Sequence, residues 1–218
     1  MNNHYHVLDL PFDQYFSKSF ILPSFYGDDR NPYISTIKDR KGLGFGRGNG
    51  THNSWIVHDI ESDLNQILSA ELIKYLNDRS FELTTIWLFY FPLNTSPGQI
   101  HCDWGLNQVI DKLRTFNFAL NWSAGTATNQ RMCWYRTKNP ALDENNWPID
   151  AKNLNGSPVW DSSTVEMIDH YSIKTPTLVR TDIPHNGENL ADGTRWAISL
   201  KPKRMKWKSW EEVVEVFS

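Results

Sequence analysis

A histidine and an aspartate stand two positions apart in the stretch GQIHCDWG, residues 98 to 105. On a β-strand successive side chains point to opposite faces, so His101 and Asp103 would share a face while Cys102 points away. On a helix the same spacing would splay them apart. An imidazole beside a carboxylate suits a divalent first-row metal, and a second histidine would complete a two-histidine, one-carboxylate face. The alternative is an ordinary polar patch at a strand end. Three residues leave both readings open, and the rest of the chain has to supply the third ligand.

The sequence holds seven histidines. His4 and His6 form another i, i+2 pair near a terminus and read as strand or arm residues. His52, His58 and His170 stand in loop-like or helix-leading contexts. His185, in RTDIPHNGENLADGTRWAISL, follows one strand and precedes another. The pairs Asn186-Gly187 and Asp192-Gly193 read as turns between them. A hairpin there would place His185 and Arg195 on neighbouring strands.

The scaffold for these groups is bounded by composition. The chain has 218 residues, 39% hydrophobic and 13% aromatic, with ten tryptophans, which predicts one domain with a substantial core rather than disorder. A net charge of -3 and a pI near 6.1 leave no electrostatic footprint for nucleic acid. The opening MNNHYHVLDLPFDQYF lacks the basic head and apolar run of a secretory signal. No segment approaches the ~20 apolar residues of a membrane span. Two cysteines, Cys102 and Cys133, are too few for a disulfide framework. The expectation is a reduced, soluble, cytoplasmic protein.

Strands dominate the middle of the chain. LTTIWLFYF (83 to 91) is apolar on both faces and predicts a doubly buried strand. TFNFALNW (115 to 122) alternates, with Phe116, Phe118, Leu120 and Trp122 on one face and Thr115, Asn117, Ala119 and Asn121 on the other. RWAISL (195 to 200) sets Trp196, Ile198 and Leu200 against Arg195, Ala197 and Ser199. The small polar faces point either to water or into a barrel, and the pattern leaves both open. RMCWYR and TLVRTDI supply further strands. The stretch 137 to 170, rich in Asn, Pro, Asp and Ser, reads as a long insertion.

Helices flank these strands. Leu64, Ile67, Leu68, Leu72, Tyr75 and Leu76 recur at helical spacing and predict a helix over 61–79. SWEEVVEVFS opens with the capping box Ser209 and Glu212 and predicts a C-terminal helix. The glycines at 42, 44, 46, 48 and 50 lack the Lys-Ser/Thr pair of a phosphate loop and predict a mobile flap over 41–54. The basic run KPKRMKWK is a solvated face or a contact for an anionic substrate. The expected organisation is a single domain over 1–218. It comprises N-terminal helical and loop support about 1–83, a barrel core about 84–200 and the C-terminal helix about 209–217. The fold class is mainly β with flanking helices, an antiparallel double-sheet jelly roll.

His101-x-Asp103, then His185, then Arg195 ten positions later resembles the motif of iron(II)/2-oxoglutarate-dependent dioxygenases. FNFALNW, MCWYR and LVRTDIPHNGEN running into RWAISL are similar surrounding text. The nearest-looking branches are prolyl-hydroxylase-like and aspartyl/asparaginyl-hydroxylase-like, the latter matched at His185 and Asn189. The resemblance spans about residues 84 to 200. It implies a cupin-like double-stranded β-helix in which His101, Asp103 and His185 hold Fe(II). It also implies 2-oxoglutarate as cosubstrate and O2 as oxidant, with succinate and CO2 released as a C–H bond is hydroxylated. Arg195 and Ser199 would meet the far carboxylate of 2-oxoglutarate, with Asn117, Asn121 and Tyr135 as further contacts and Trp104 near the entrance. The substrate would be an amino acid, a protein side chain or a small metabolite.

Two other classes compete. A cupin-like metal binder without oxygenase activity would need the triad but not Arg195. A jelly-roll carbohydrate-binding module, suggested by the ten tryptophans, would display aromatics on its surface.

Overall fold

The computed structural model describes residues 4–20, 46–47, 53–57, 65–91, 99–103, 116–126, 129–143, 147–154, 157–190, 193, 195–202, 207 and 209–218. At 46–47, 53–57, 84–85, 90–91, 154 and 189 the description covers the backbone alone.

Two antiparallel sheets face each other. The first runs, in order across it, β1 (Tyr5–Val7), β11 (Thr177–Arg180), β6 (Phe118–Gly125), β13 (Arg195–Pro202), β4 (Leu83–Phe91), β3 (Asn53–Val57) and β2 (Gly46–Arg47). The second runs β10 (Val165–Tyr171), β7 (Gln130–Thr137), β12 (His185–Asn189), β5 (Ile100–His101), β9 (Ser157–Trp160) and β8 (Ala151–Leu154). From β4 to β7, and again from β10 to β13, successive strands alternate between the sheets. That winding is a double-stranded, jelly-roll β-helix.

The alternating strands divide the core. Phe118, Leu120 and Trp122 of β6 and Trp196, Ile198 and Leu200 of β13 pack with two helices, α1 (Ala70–Asp78) and α2 (Trp210–Phe217). Leu72, Tyr75 and Leu76 of α1 and Trp210, Val213, Val214 and Phe217 of α2 supply the buried helical faces. With the bulky faces covered by helices, the polar faces of β6 and β13 turn into the barrel. The contacts agree: Asn121 of β6 reaches Met132 of β7, and Arg195 of β13 reaches the main-chain oxygen of Glu188 on β12. Both contacts cross from one sheet to the other.

Several expectations change. The helix expected over 61–79 is interrupted. Leu68 bridges Phe16 as an isolated β pair, and Ser69 caps α1, its hydroxyl accepting from the Leu72 amide at 3.2 Å. Residues 61–64 lie outside the described residues. The N-terminal support region is not purely helix and loop, because β1, β2 and β3 extend the first sheet. The stretch 137–170, expected as a long insertion, carries regular strands. It forms the β8–β9 hairpin, which pairs onto β5, and β10, which pairs onto β7. Asn186-Gly187 is no turn; both residues sit inside β12. His185 and Arg195 do not form a hairpin, since β12 and β13 belong to different sheets. The expected flap falls largely outside the described residues, although Gly46–Arg47 pairs with Ser54 and Asn53. Among the described residues no helix is long and apolar enough to cross a membrane.

Candidate metal centre

β5 is two residues long and is held on both edges, by β12 and by β9. Register sets His101 directly opposite His185, so both imidazoles project from the same face of the second sheet. Their ring centroids are 4.6 Å apart. Asp103 follows just beyond the strand end, with Oδ1 3.4 Å from His101 Nε2. One donor atom from each of His101, Asp103 and His185 lies within 4.8 Å of the others.

Both rings are oriented in the same way. His101 Nδ1 is 2.8 Å from the main-chain oxygen of Gln99, and His185 Nδ1 is 2.8 Å from that of Ile183. A carbonyl oxygen only accepts, so each Nδ1 carries the proton and the neutral ring keeps its lone pair on Nε2. This is how ligating histidines are fixed in tautomer and direction.

The main chain of Asp103 is tied from two sides. Its amide donates to Thr181 O at 2.8 Å, and its carbonyl accepts from Asn117 Nδ2 at 2.5 Å. Asn117, expected as a contact either to the cosubstrate or to the ligands, steadies the main chain of Asp103. Lys201, at the end of β13, pairs its ammonium with Asp103 Oδ2.

The electrostatics follow from burial and neighbours. Burial lowers the affinity of His185 for a proton, and His101 adds to this, bringing its pKa down to about 4. For His101 burial pulls the same way, but the Asp103 carboxylate outweighs it and the pKa is raised. Burial would raise the Asp103 pKa; Lys201 and the two histidines outweigh that and hold it well below the usual carboxylate range. At neutral pH the site therefore offers an ionised carboxylate and an unprotonated His185. Two imidazoles and one carboxylate on one face suit a divalent first-row ion and leave other coordination positions open.

Arg195 lies inside the same barrel and is only 4% exposed. Its Nε donates to Ser123 Oγ at 3.2 Å and its Nη1 to Glu188 O at 3.2 Å. Burial lowers its pKa to about 10, so it remains a cation at neutral pH. Ser199 is buried on the same strand face, opposite Asn121 and Trp87. Tyr135 does not join them. It lies on the other face of β7, its hydroxyl donating to Asn186 Oδ1 at 3.1 Å. Its strand neighbour Trp134 is the residue that pairs with His185. Trp104 and the Asn189 side chain lie outside the described residues.

Sequence reasoning missed four residues of this interior. Ser123 continues the Asn117, Ala119, Asn121 face of β6 by one step, a signal available in the alternation. Lys201 continues the Arg195, Ala197, Ser199 face of β13 in the same way. Trp87 and Phe89 sit opposite Ser199 and Ala197, so they share that inward face, and their rings stack at 5.6 Å. A separate cavity of about 370 Å³ lies behind β5, lined by Cys102, Tyr135, Trp160, Arg180 and Pro184 among others. It contains none of the triad, so this cavity and the titratable cluster do not coincide.

No protein-family model matches the sequence, and no curated protein does. Among solved structures, the chain is similar to Escherichia coli ycfD at 10% identity, covering 97% of this chain and 52% of that one, with a TM-score of 0.41. A second match, described as the Escherichia coli ribosomal oxygenase YcfD, has 10% identity, covers 74% of this chain and 34% of that one, and has a TM-score of 0.32. The chain thus spans about half or less of the solved chains it matches. Similarity of this degree fixes neither activity nor substrate, which have to be read from the side chains.

Proposed function

We propose that this chain is an Fe(II)- and 2-oxoglutarate-dependent oxygenase that hydroxylates a C–H bond, releasing succinate and CO2. The observation that carries the reading is the gathering of His101, Asp103 and His185 donor atoms within 4.8 Å inside the barrel, with both imidazoles turned by main-chain carbonyls. In this reading His101, Asp103 and His185 hold the metal. Arg195, assisted by Ser123 and Ser199, receives the far carboxylate of 2-oxoglutarate, for which a planar guanidinium is suited. When bound, the ion would activate O2, the oxidant, with 2-oxoglutarate oxidised to succinate and CO2 as it supplies two of the electrons; the protein supplies binding, orientation and exclusion of water. Asn117 keeps the Asp103 main chain in place, and the stacked Trp87 and Phe89 line the inward face of β4.

The carbohydrate-module reading is disfavoured by where the tryptophans lie. Trp122, Trp134, Trp160, Trp196, Trp207 and Trp210 are all buried. The cupin-like reading differs in one observable, because it needs the metal and not the cosubstrate. The test is anaerobic titration of Mn(II) and then 2-oxoglutarate, followed by succinate measurement with Fe(II) and O2. Metal binding that His101→Ala, Asp103→Ala and His185→Ala each abolish, together with saturable 2-oxoglutarate binding, is the expected result. Metal binding without 2-oxoglutarate binding would favour the cupin-like reading instead.

A further inference from the structure

One face of β13 carries Arg195, Ala197, Ser199 and Lys201, and its two cations sit at opposite ends. Six residues of extended strand separate their backbones by about 20 Å. Arg195 is deep, at 4% exposure, whereas the Lys201 side chain is 24% exposed and stands beside Asp103. Resting on the reading above, the deep cation is the partner of the cosubstrate, and Lys201 remains for something else. Among the described residues its ammonium contacts Asp103 alone, through one of three N–H donors. Two donors are left at the edge of the metal site.

The charge balance points the same way. A divalent ion and the ionised Asp103 sum to +1; 2-oxoglutarate contributes -2, and Arg195 and Lys201 contribute +1 each. The assembled site is left with a net positive charge, which favours an anionic group. Beside Lys201 on the adjoining strand the surface changes character. Trp87 and Phe89 are half-buried, face inward and stack on each other, with ring centroids 5.6 Å apart and an interplanar angle of 12°, making one apolar wall. Ser199 and Ala197, opposite them, carry small side chains.

We propose that the substrate is an organic anion, its carboxylate or phosphate held by Lys201 and its flat apolar body laid against Trp87 and Phe89. Lys201 thereby does two things: it steadies Asp103 Oδ2 and presents its remaining donors to the incoming anion. The reacting carbon is then close to the anionic group, because Lys201 and the metal ligand share an ion pair.

The probes are acetate, benzoate and phenyl phosphate, added to the Mn(II) form with and without 2-oxoglutarate. Paramagnetic broadening of each probe's proton signals by Mn(II) reports binding beside the metal. Benzoate and phenyl phosphate are expected to bind about tenfold or more tightly than acetate, and a preference between them identifies the anion. Lys201→Met should weaken all three by about tenfold or more, the loss of a charge-assisted hydrogen bond. Lys201→Gln serves as a second neutral variant, and Lys201→Arg should retain binding. Trp87→Ala should remove the advantage of the aromatic probes and leave acetate unchanged. Unchanged probe affinity in Lys201→Met and Lys201→Gln, with Mn(II) still bound, overturns the proposal. An aromatic advantage that survives Trp87→Ala overturns the wall as the seat of the apolar body. Failure of the unaltered protein to bind Mn(II) would instead remove the metal reading on which the proposal stands.

Discussion

Asn117 and Asp103 are joined by a bond from the Asn117 side-chain amide to the Asp103 main-chain oxygen, 2.5 Å long. Asn117 O in turn accepts from the Thr181 amide at 2.9 Å, and Thr181 O accepts from the Asp103 amide. The Asp103 main chain is thereby clamped to the connection that leads to His185. Partners of this kind, one step removed from a metal, alter its affinity by ~10–100-fold when lost. Asn117→Ala should weaken Mn(II) binding within that range while the protein still folds. Calorimetric metal titration checks it.

Arg195 should govern the cosubstrate and not the metal. Arg195→Ala removes a buried guanidinium and should weaken 2-oxoglutarate binding tenfold to over a hundredfold, since hydrogen bonds to charged groups are worth ~1.5–3 kcal/mol each. Arg195→Lys should recover part of that loss, because it keeps the charge and gives up the fork. Ser123→Ala, which removes one support of the guanidinium, should have a smaller effect. Anaerobic titration of the Mn(II) forms distinguishes these variants.

The stability of the metal-free protein should fall as the pH drops through the window set by His185. The unfolded imidazole takes up its proton near pH 6.5, whereas burial delays protonation in the folded state to about 4. Between those values the unfolded chain holds more protons, so acidification favours unfolding. The loss attributable to His185 is on the order of 3 kcal/mol across the window. Asp103, with its lowered pKa, stabilises the fold above about pH 4, the unfolded carboxylate value, and that contribution fades as the pH falls through its folded value. His101 has the opposite sign from His185, stabilising at low pH and losing that contribution as the pH rises through its raised value. Urea midpoints of the unaltered protein and His185→Gln at pH 7, 5.5 and 4.5 should diverge, with the variant showing the flatter profile.

The helical layer can be weakened without touching the ligands. Phe217 is 2% exposed, its ring meets those of Tyr75, Phe81 and Trp207, and its main-chain oxygen accepts from Tyr75 Oη at 3.2 Å. Phe217→Ala should cost ~3–5 kcal/mol, as large-to-small changes in packed cores do. Thermal and urea unfolding measure the loss. Mn(II) affinity at temperatures where the variant is folded should stay near that of the unaltered protein.

The legible parts of this fold were those where one pattern acted alone. Strict alternation in β6 and β13 identified the strands and named their faces, and Ser209 with Glu212 marked the start of α2. His101, Asp103 and His185 were legible from residue type and position. Other parts were hidden where local signals compete with tertiary ones. β10 has mostly exposed and half-buried residues after Val165, so it shows no apolar stripe and reads as a loop. Asn186-Gly187 carries turn chemistry, but Asn186 is 2% exposed and its side chain is satisfied by Tyr135 within the strand. Ser69 interrupts an apolar run whose period continues through it, so one helix was expected where a cap intervenes. Lys201 sat at the head of a basic run, and composition averaged away its single inward direction.

The strand exchange between His185 and Arg195 gives the barrel the character of a caliper. One jaw is the second sheet, which bears the triad; the other is the first sheet, which bears the guanidinium. Facing sheets stand about 10 Å apart. A molecule that touches both jaws is therefore gauged by core thickness, which the residues packed between the sheets set. Met132 against Asn121, 4.0 Å apart across the interior, is one such pair. Enlarging or trimming that pair should retune the length of dicarboxylate the barrel accepts while leaving every ligand and the arginine in place.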